Sequence, residues 1–287
     1  MLLLGIHKTS LRFLYFAIAT CCISLATADL GAADLKPEEI VAKHLDSIGS
    51  AEARAKVKSR VIQGGLTYRI LVGGSGVVPG KFQFASEAPK TDLLMKINAN
   101  GYLGEWFICD GDKTSAAATY PDKTRSEFGN FVLSQDMILR ENLLGGVWST
   151  GWPLLDLEAH KPKLHAEGLK KVDGKELLAI RYEPKRRTDL EITLYFDPQT
   201  YQHVMTVYEM EPPNSLAGGE TRQAGKQPRR YRLEEHFSDF KTVDGLTLPT
   251  HYDLRFTLGY VKSVEWEVDQ PSIANNMSID PRTFQVR

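Results

Sequence analysis

His160 and His165, separated by Lys161-Pro162, are the first place to look for a metal. A helix aligns ligands three or four residues apart, and a proline between these two breaks any shared face, so no zinc geometry follows. Gly73-Gly74-Ser75-Gly76 with Pro79-Gly80 has the glycine density of a phosphate cradle. Nucleotide loops open a helix, however, and this stretch opens a period-two run, which is a hairpin signal. Asp189 with Glu191, or Glu234 with Glu235, could form the acid pair of a glycosidase. They alternate along strand-like runs beside Arg187, Arg230 and Arg232, where a solvated, charge-paired outer face accounts for them. No Gly-x-Ser-x-Gly elbow is present. Cys109 ends an apolar run before Asp110-Gly111 with no base beside it, and it reads as a small hydrophobe. Neither a catalytic centre, a metal nor a cofactor is expected.

The residues that do recur at strand spacing are large and apolar. Phe82 with Phe84, Met95 and Trp106 carry the pattern in the first half. Tyr182, Tyr195 or Phe196, Tyr208, Tyr252, Phe256 and Trp266 carry it in the second. A strongly curved sheet built from such strands has more concave surface than one helix can cover, and such sheets enclose cavities for apolar ligands. The alternative is a core packed without a cavity. If a hollow exists, its candidate lining is Phe82, Phe84, Met95, Trp106, Leu139, Leu143, Trp148, Trp152 and Ile180. The pattern leaves open which face of each strand points inward.

The elements that must position these residues are mostly strands. Pro37, Glu38 and Glu39 open a helix whose apolar face carries Ile40, Val41, Leu45 and Ile48, and Gly49 stops it. Period two then sets in. It runs through 59–72, 81–85, 93–97, 102–109 and 113–118, joined by short Gly- and Asn-rich turns that imply antiparallel neighbours. Residues 134–160 interrupt the meander. Ser134 suits a cap, Met137 to Leu144 suit a helix, and Trp148, Trp152, Leu154, Leu155 and Leu157 follow at high apolar density. So bulky a segment must plug or roof the hollow face of the sheet. Strands resume at 164–170, 177–183, 190–196, 202–210, 231–241, 250–258 and 260–268. Asp173-Gly174 and Asp244-Gly245 provide tight hairpins, and a polar loop spans 211–230. The expectation is one domain of about eleven strands.

The first 28 residues have their own logic. His7, Lys8 and Arg12 form a basic start, Phe13 to Leu25 an apolar core too short for a comfortable membrane span, and Ala26-Thr27-Ala28 a small-residue cleavage site before Asp29. This reads as a signal peptide over 1–28 and an exported chain over 29–287. Without Lys8 and Arg12 the balance is 33 basic against 36 acidic residues, a net charge of -3. That offers no electrostatic footprint for nucleic acid.

Taken in order, five stretches resemble the LolA/LolB/RseB-like superfamily of outer membrane lipoprotein-sorting-like proteins. They are Glu38 to Gly64, Tyr102 to Ala117, Lys170 to Pro184, Ile192 to Val204 and Glu234 to Tyr252. Each is short; their order over nearly the whole exported part carries the resemblance. It implies a mainly β fold with some helix: an incomplete, strongly curved antiparallel barrel with helices over its concave face. It also implies a periplasmic carrier or binder of an apolar ligand such as a lipid or lipoprotein acyl chain. The alternative within the same family is an envelope protein-interaction or stress-sensor module, with envelope lipoproteins or membrane proteins as partners. The long loop at 211–230 and the Trp-rich insert depart from the founding members, which puts lipoproteins as the cargo in doubt.

Overall fold

The computed structural model describes residues 35–99, 101–119, 125–211 and 230–286. The expected signal peptide lies outside these residues, as does the expected polar loop apart from Glu211 and Arg230. No helix among the described residues is long and apolar enough to cross a membrane.

Thirteen strands form one antiparallel sheet, not closed into a barrel. Five strands meander first: β1 (Arg60–Val72), β2 (Gly76–Glu87), β3 (Lys90–Ala99), β4 (Tyr102–Cys109) and β5 (Thr114–Ala118). Seven more meander the other way: β6 (Lys163–Val172), β7 (Lys175–Glu183), β8 (Glu191–Phe196), β9 (His203–Met210), β10 (Tyr231–Val243), β11 (Leu246–Leu258) and β12 (Lys262–Asp269). The two halves join where β12 pairs with β1, Tyr68 opposite Trp266, so that β5 and β6 become the two edges of the sheet. A short β13 (Ser272–Asn275) pairs with the start of β1. Lying between a proline and a polar tail, it was too brief to show in the pattern of the sequence.

The turns behave as their residues demand. Asp173 and Gly174 have φ of 49° and 81°, and Asp244 and Gly245 of 50° and 78°, the left-handed pairs that tight hairpins need. Strand β2 begins earlier than expected and holds Pro79 within it. Because β3 covers β2 only as far as Gly80, the Pro79 stretch has a partner on one side alone, where a missing N–H breaks no ladder.

The interrupting segment differs from its expected form. Helix α1 (Pro37–Ile48) and the short α2 (Ala51–Lys56) precede the sheet, and α3 (Glu127–Ser134) follows β5. Ser134 is therefore the last residue of a helix rather than the cap of one; the cap is Ser126, whose hydroxyl accepts from the Gly129 amide at 2.9 Å. The expected helix over Met137 to Leu144 shrinks to α4 (Met137–Arg140). Asn142, Gly145 and Gly146 all take positive φ and turn the chain too often for a helix to continue. Two 3-10 turns, Gly146–Trp148 and Pro153–Leu155, and α5 (Leu157–His160) complete it. Because this segment runs from one edge strand to the other, it must cross the open side of the sheet, and its apolar residues decide what it does there.

Candidate functional site

The interior of the curved sheet divides into two regions along its strands. At one end the insert fills the concavity. Trp148 and Trp152 are both fully buried. The Trp148 indole lies 4.9 Å from the Tyr252 ring, 5.7 Å from Phe82 and 6.5 Å from Phe84, and its N–H donates to the Pro249 carbonyl at 2.9 Å. Trp152 donates to His44 Nε2 at 3.4 Å, which leaves His44 Nδ1 to donate to the Tyr201 carbonyl at 3.0 Å. The Arg60 guanidinium, buried beneath the insert, donates to the Val147 and Trp148 carbonyls at 2.6 and 3.2 Å. Glu235 binds the Gly145 amide at 2.6 Å and the hydroxyls of Tyr208 and Tyr252 at 2.7 and 2.8 Å. The space left between Arg60, Val147, Ser149, Leu246 and their neighbours is about 30 Å³, room for a single water.

Besides Arg60, two acids and two histidines buried in this interior were not visible as such in the sequence: Glu105, Glu235, His44 and His203. Burial lifts the Glu235 carboxyl to about 7 against the pull of its three donors. Burial drops His44 to about 4 and His203 well below its ordinary value, so both rings are neutral at pH 7. Two buried acids and two buried histidines are what a hydrolytic site would need. Glu235, however, already accepts three hydrogen bonds, and both nitrogens of His44 are engaged, so these two are ties rather than poised bases; His203 pairs its Nε2 with the Thr206 hydroxyl at 2.9 Å and keeps Nδ1 buried without a hydrogen bond. Glu235 also corrects the reading of Glu234 and Glu235 as one solvated pair. Glu234 lies outward on Arg232 at 2.8 Å, and Glu235 points inward. Adjacent residues of a strand must face opposite sides, so that parity was the signal that could have found it.

Beyond the insert the concavity stays open. A cavity of about 370 Å³ lies between the inner faces of β1, β4, β11 and β12 and the start of α3, walled by Tyr68, Tyr102, Phe128, Phe256, Val264 and Trp266. The Phe128 ring tilts against Trp266 at 4.8 Å, Tyr68 lies 4.8 Å from Tyr102, and Tyr68 lies 5.6 Å from Trp266. Arg125, Lys262 and Glu127 stand at the rim, with Lys262 and Glu127 paired at 3.4 Å. Below the wall is Glu105, whose carboxylate takes the Ser126 hydroxyl on one oxygen and is lifted to about 7 by burial. Its other oxygen, the Tyr102 hydroxyl and the Trp266 indole N–H are buried without a hydrogen bond of good geometry. The Tyr102 hydroxyl lies near enough to both of the others for each to affect its titration. Three of the five such atoms among the described residues therefore gather at this one wall.

Of the nine residues expected to line a hollow, Phe82, Phe84, Met95, Leu139, Leu143, Trp148, Trp152 and Ile180 are buried in one contiguous core. None of these eight lines the open cavity. Trp106 is placed differently: its neighbours Glu105 and Phe107 point inward, and it stands half-buried on the outer face with its indole N–H on Asp92 at 2.6 Å. Of the residues that wall the open cavity, Phe256 and Trp266 belong to the strand pattern noted in the sequence. Tyr68, Tyr102 and Phe128 were missed as lining, the last because α3 itself was.

No family model matches the sequence, and no curated protein does. The chain is similar to solved LolA-superfamily structures. A putative outer membrane lipoprotein-sorting protein domain from Vibrio parahaemolyticus aligns at 10% identity over 87% of this chain and 97% of that one, with a TM-score of 0.49. A LolA superfamily protein from Nitrosomonas europaea aligns at 10% identity over 88% and 98%, with a TM-score of 0.46. A DUF1329 family protein from Desulfovibrio piger aligns at 11% identity over 88% and 98%, with a TM-score of 0.47.

Proposed function

We propose that this chain is an exported binder or carrier of an apolar ligand, a lipid or acyl chain, and that the ligand occupies the open aromatic cavity rather than the space under the insert. The observation that supports this most is the contrast in volume: about 370 Å³ walled by five rings at one end, against about 30 Å³ at the other. Pockets for small ligands begin near 300 Å³ and combine an apolar wall with a few placed polar groups, which Arg125, Ser126 and Lys262 supply here. Burying eight methylenes contributes about 6 kcal/mol, enough for binding in the range of tens of micromolar before ordering costs.

The test is displacement of a fluorescent fatty acid from delipidated protein, in the wild type and in Ala118→Trp, which adds a ring to the cavity wall. Saturable binding that the substitution removes is the expected result. Absence of saturable binding in the wild type ends the reading. A second reading, an envelope protein-interaction or stress-sensor module, draws support from the filled insert end, where the remaining space is about 30 Å³. Recovery of a partner from envelope extract that binds Ala118→Trp and wild type alike would favour it.

A further inference from the structure

Among the described residues six large apolar side chains are exposed, and five of them lie together: Leu71 at 43%, Val72 at 44%, Val77 at 67%, Tyr260 at 89% and Val261 at 54%. They belong to two hairpin tips, β1–β2 and β11–β12. The tips touch, because Gly73 lies directly on the Val261 carbonyl with φ of 86°, a closeness only glycine allows. The register of β1 on β12 slips between Ile70 and Val72, so Leu71 is an extra residue that turns the end of the strand outward. From Ile70 to Gly80 there is no ionisable side chain. At 25% charged residues overall, about three would be expected in those eleven positions. An exposed hairpin so depleted in charge is not an ordinary solvated turn.

Its partner can be argued from shape and charge. Five side chains on two narrow tips fall far short of the 20 to 30 residues per side that a stable protein interface uses. A fluid apolar phase needs no complementary surface and rewards each inserted side chain separately. Tyr260 has the ring and hydroxyl that favour a membrane–water boundary. Behind the tips stand Lys262 and the cross-strand pair Lys81 and Lys96, where lipid phosphates would lie if the apolar residues were inserted. Lys262 also forms part of the rim of the aromatic cavity, and Tyr68, three residues before Leu71, forms part of its wall.

We propose that these two tips dock on a lipid bilayer, inserting Leu71, Val77 and Tyr260 at the headgroup boundary and setting the cavity mouth beside the membrane. The inference goes beyond ligand binding and is measured without any ligand. Protein as secreted by its expression host is mixed with phosphatidylcholine vesicles, and with vesicles also containing phosphatidylglycerol, and the bound fraction is read by co-sedimentation. Wild type is expected to bind both, the anionic vesicles more tightly. The triple substitution Leu71→Ser, Val77→Ser and Tyr260→Ser should lower partition at least tenfold, while Met277→Ser, at the sixth exposed apolar position, should leave it unchanged. In Val77→Trp, added vesicles should shift the indole emission to the blue. Wild-type partition in the triple variant, no vesicle binding by wild type, or no shift in Val77→Trp overturns the proposal. Fatty-acid displacement without vesicles should be the same in the triple variant and wild type, so that failure of docking and failure of the cavity reading are told apart.

Discussion

The two ends of the same concave face have opposite fates. Near Trp148 the curved sheet is filled by a segment stapled through Arg60, Glu235, His44 and the Pro249 carbonyl. Near Trp266 the same sheet, equally aromatic, is left open under the first turn of α3. Both ends have the residues for either outcome. What differs is where the crossing segment passes: in running from β5 to β6 its Trp148 lies against Phe82, Phe84 and Tyr252, whereas at the other end α3 lays Phe128 on Trp266 and leaves a cavity beside it. Aromatic content therefore does not decide where a hollow remains in this sheet; the path of the connection does.

The largest effect that could break this comparison is on the filled end. Trp148→Ala removes a side chain with no exposure and a satisfied N–H, and should cost about 3–5 kcal/mol in urea unfolding. A cost below about 1 kcal/mol would mean that the insert roofs a hollow instead of filling it.

Next comes pH. Burial holds Glu235 at about 7, whereas in the unfolded chain it titrates near 4.5, so the folded state binds the proton more tightly. Its contribution to stability is complete below about pH 4.5 and is lost as pH rises through 7, on the order of 3 kcal/mol in all. His44 works in the opposite sense: lowered to about 4 from 6.5, it costs stability as pH falls through that window. Glu235→Gln isolates the acid. Between pH 5 and 8 wild type should lose about 2–3 kcal/mol relative to the variant, followed by the urea midpoint at each pH. Parallel profiles would show that Glu235 does not titrate as a buried tie.

At the open end the effects are on binding. Ala118→Trp should weaken fluorescent fatty-acid binding at least tenfold, about 1.4 kcal/mol, with the urea midpoint little changed. The smallest effect is expected on the outer face. Trp106→Ala should cost about 1 kcal/mol of stability through its contact with Asp92 and leave ligand affinity unchanged. A loss of affinity there would place the ligand on the wrong side of the sheet.

Much of the architecture was legible before any coordinates. Period two located about eleven of the thirteen strands, and two Asp-Gly pairs located the β6–β7 and β10–β11 hairpins, because those signals arise from each residue's own sterics and from the alternation of one strand. The density of Trp and Leu in residues 147–157 likewise required that stretch to be buried somewhere. Three things needed the tertiary structure. The parity of Trp106 depends on its strand's register against β3 and β5, which single-strand alternation leaves ambiguous until one inward residue is known. The burial of Glu235 depends on Tyr208, Tyr252 and Gly145 arriving from three other places in the chain to satisfy it. The location of the cavity depends on the pairing of β1 with β12, about 200 residues apart, which makes β5 and β6 the edges and so dictates where the connecting segment must cross. Local patterning specifies which residues avoid water, and only the closed set of long-range pairings determines which of them meet each other and which are left facing a space.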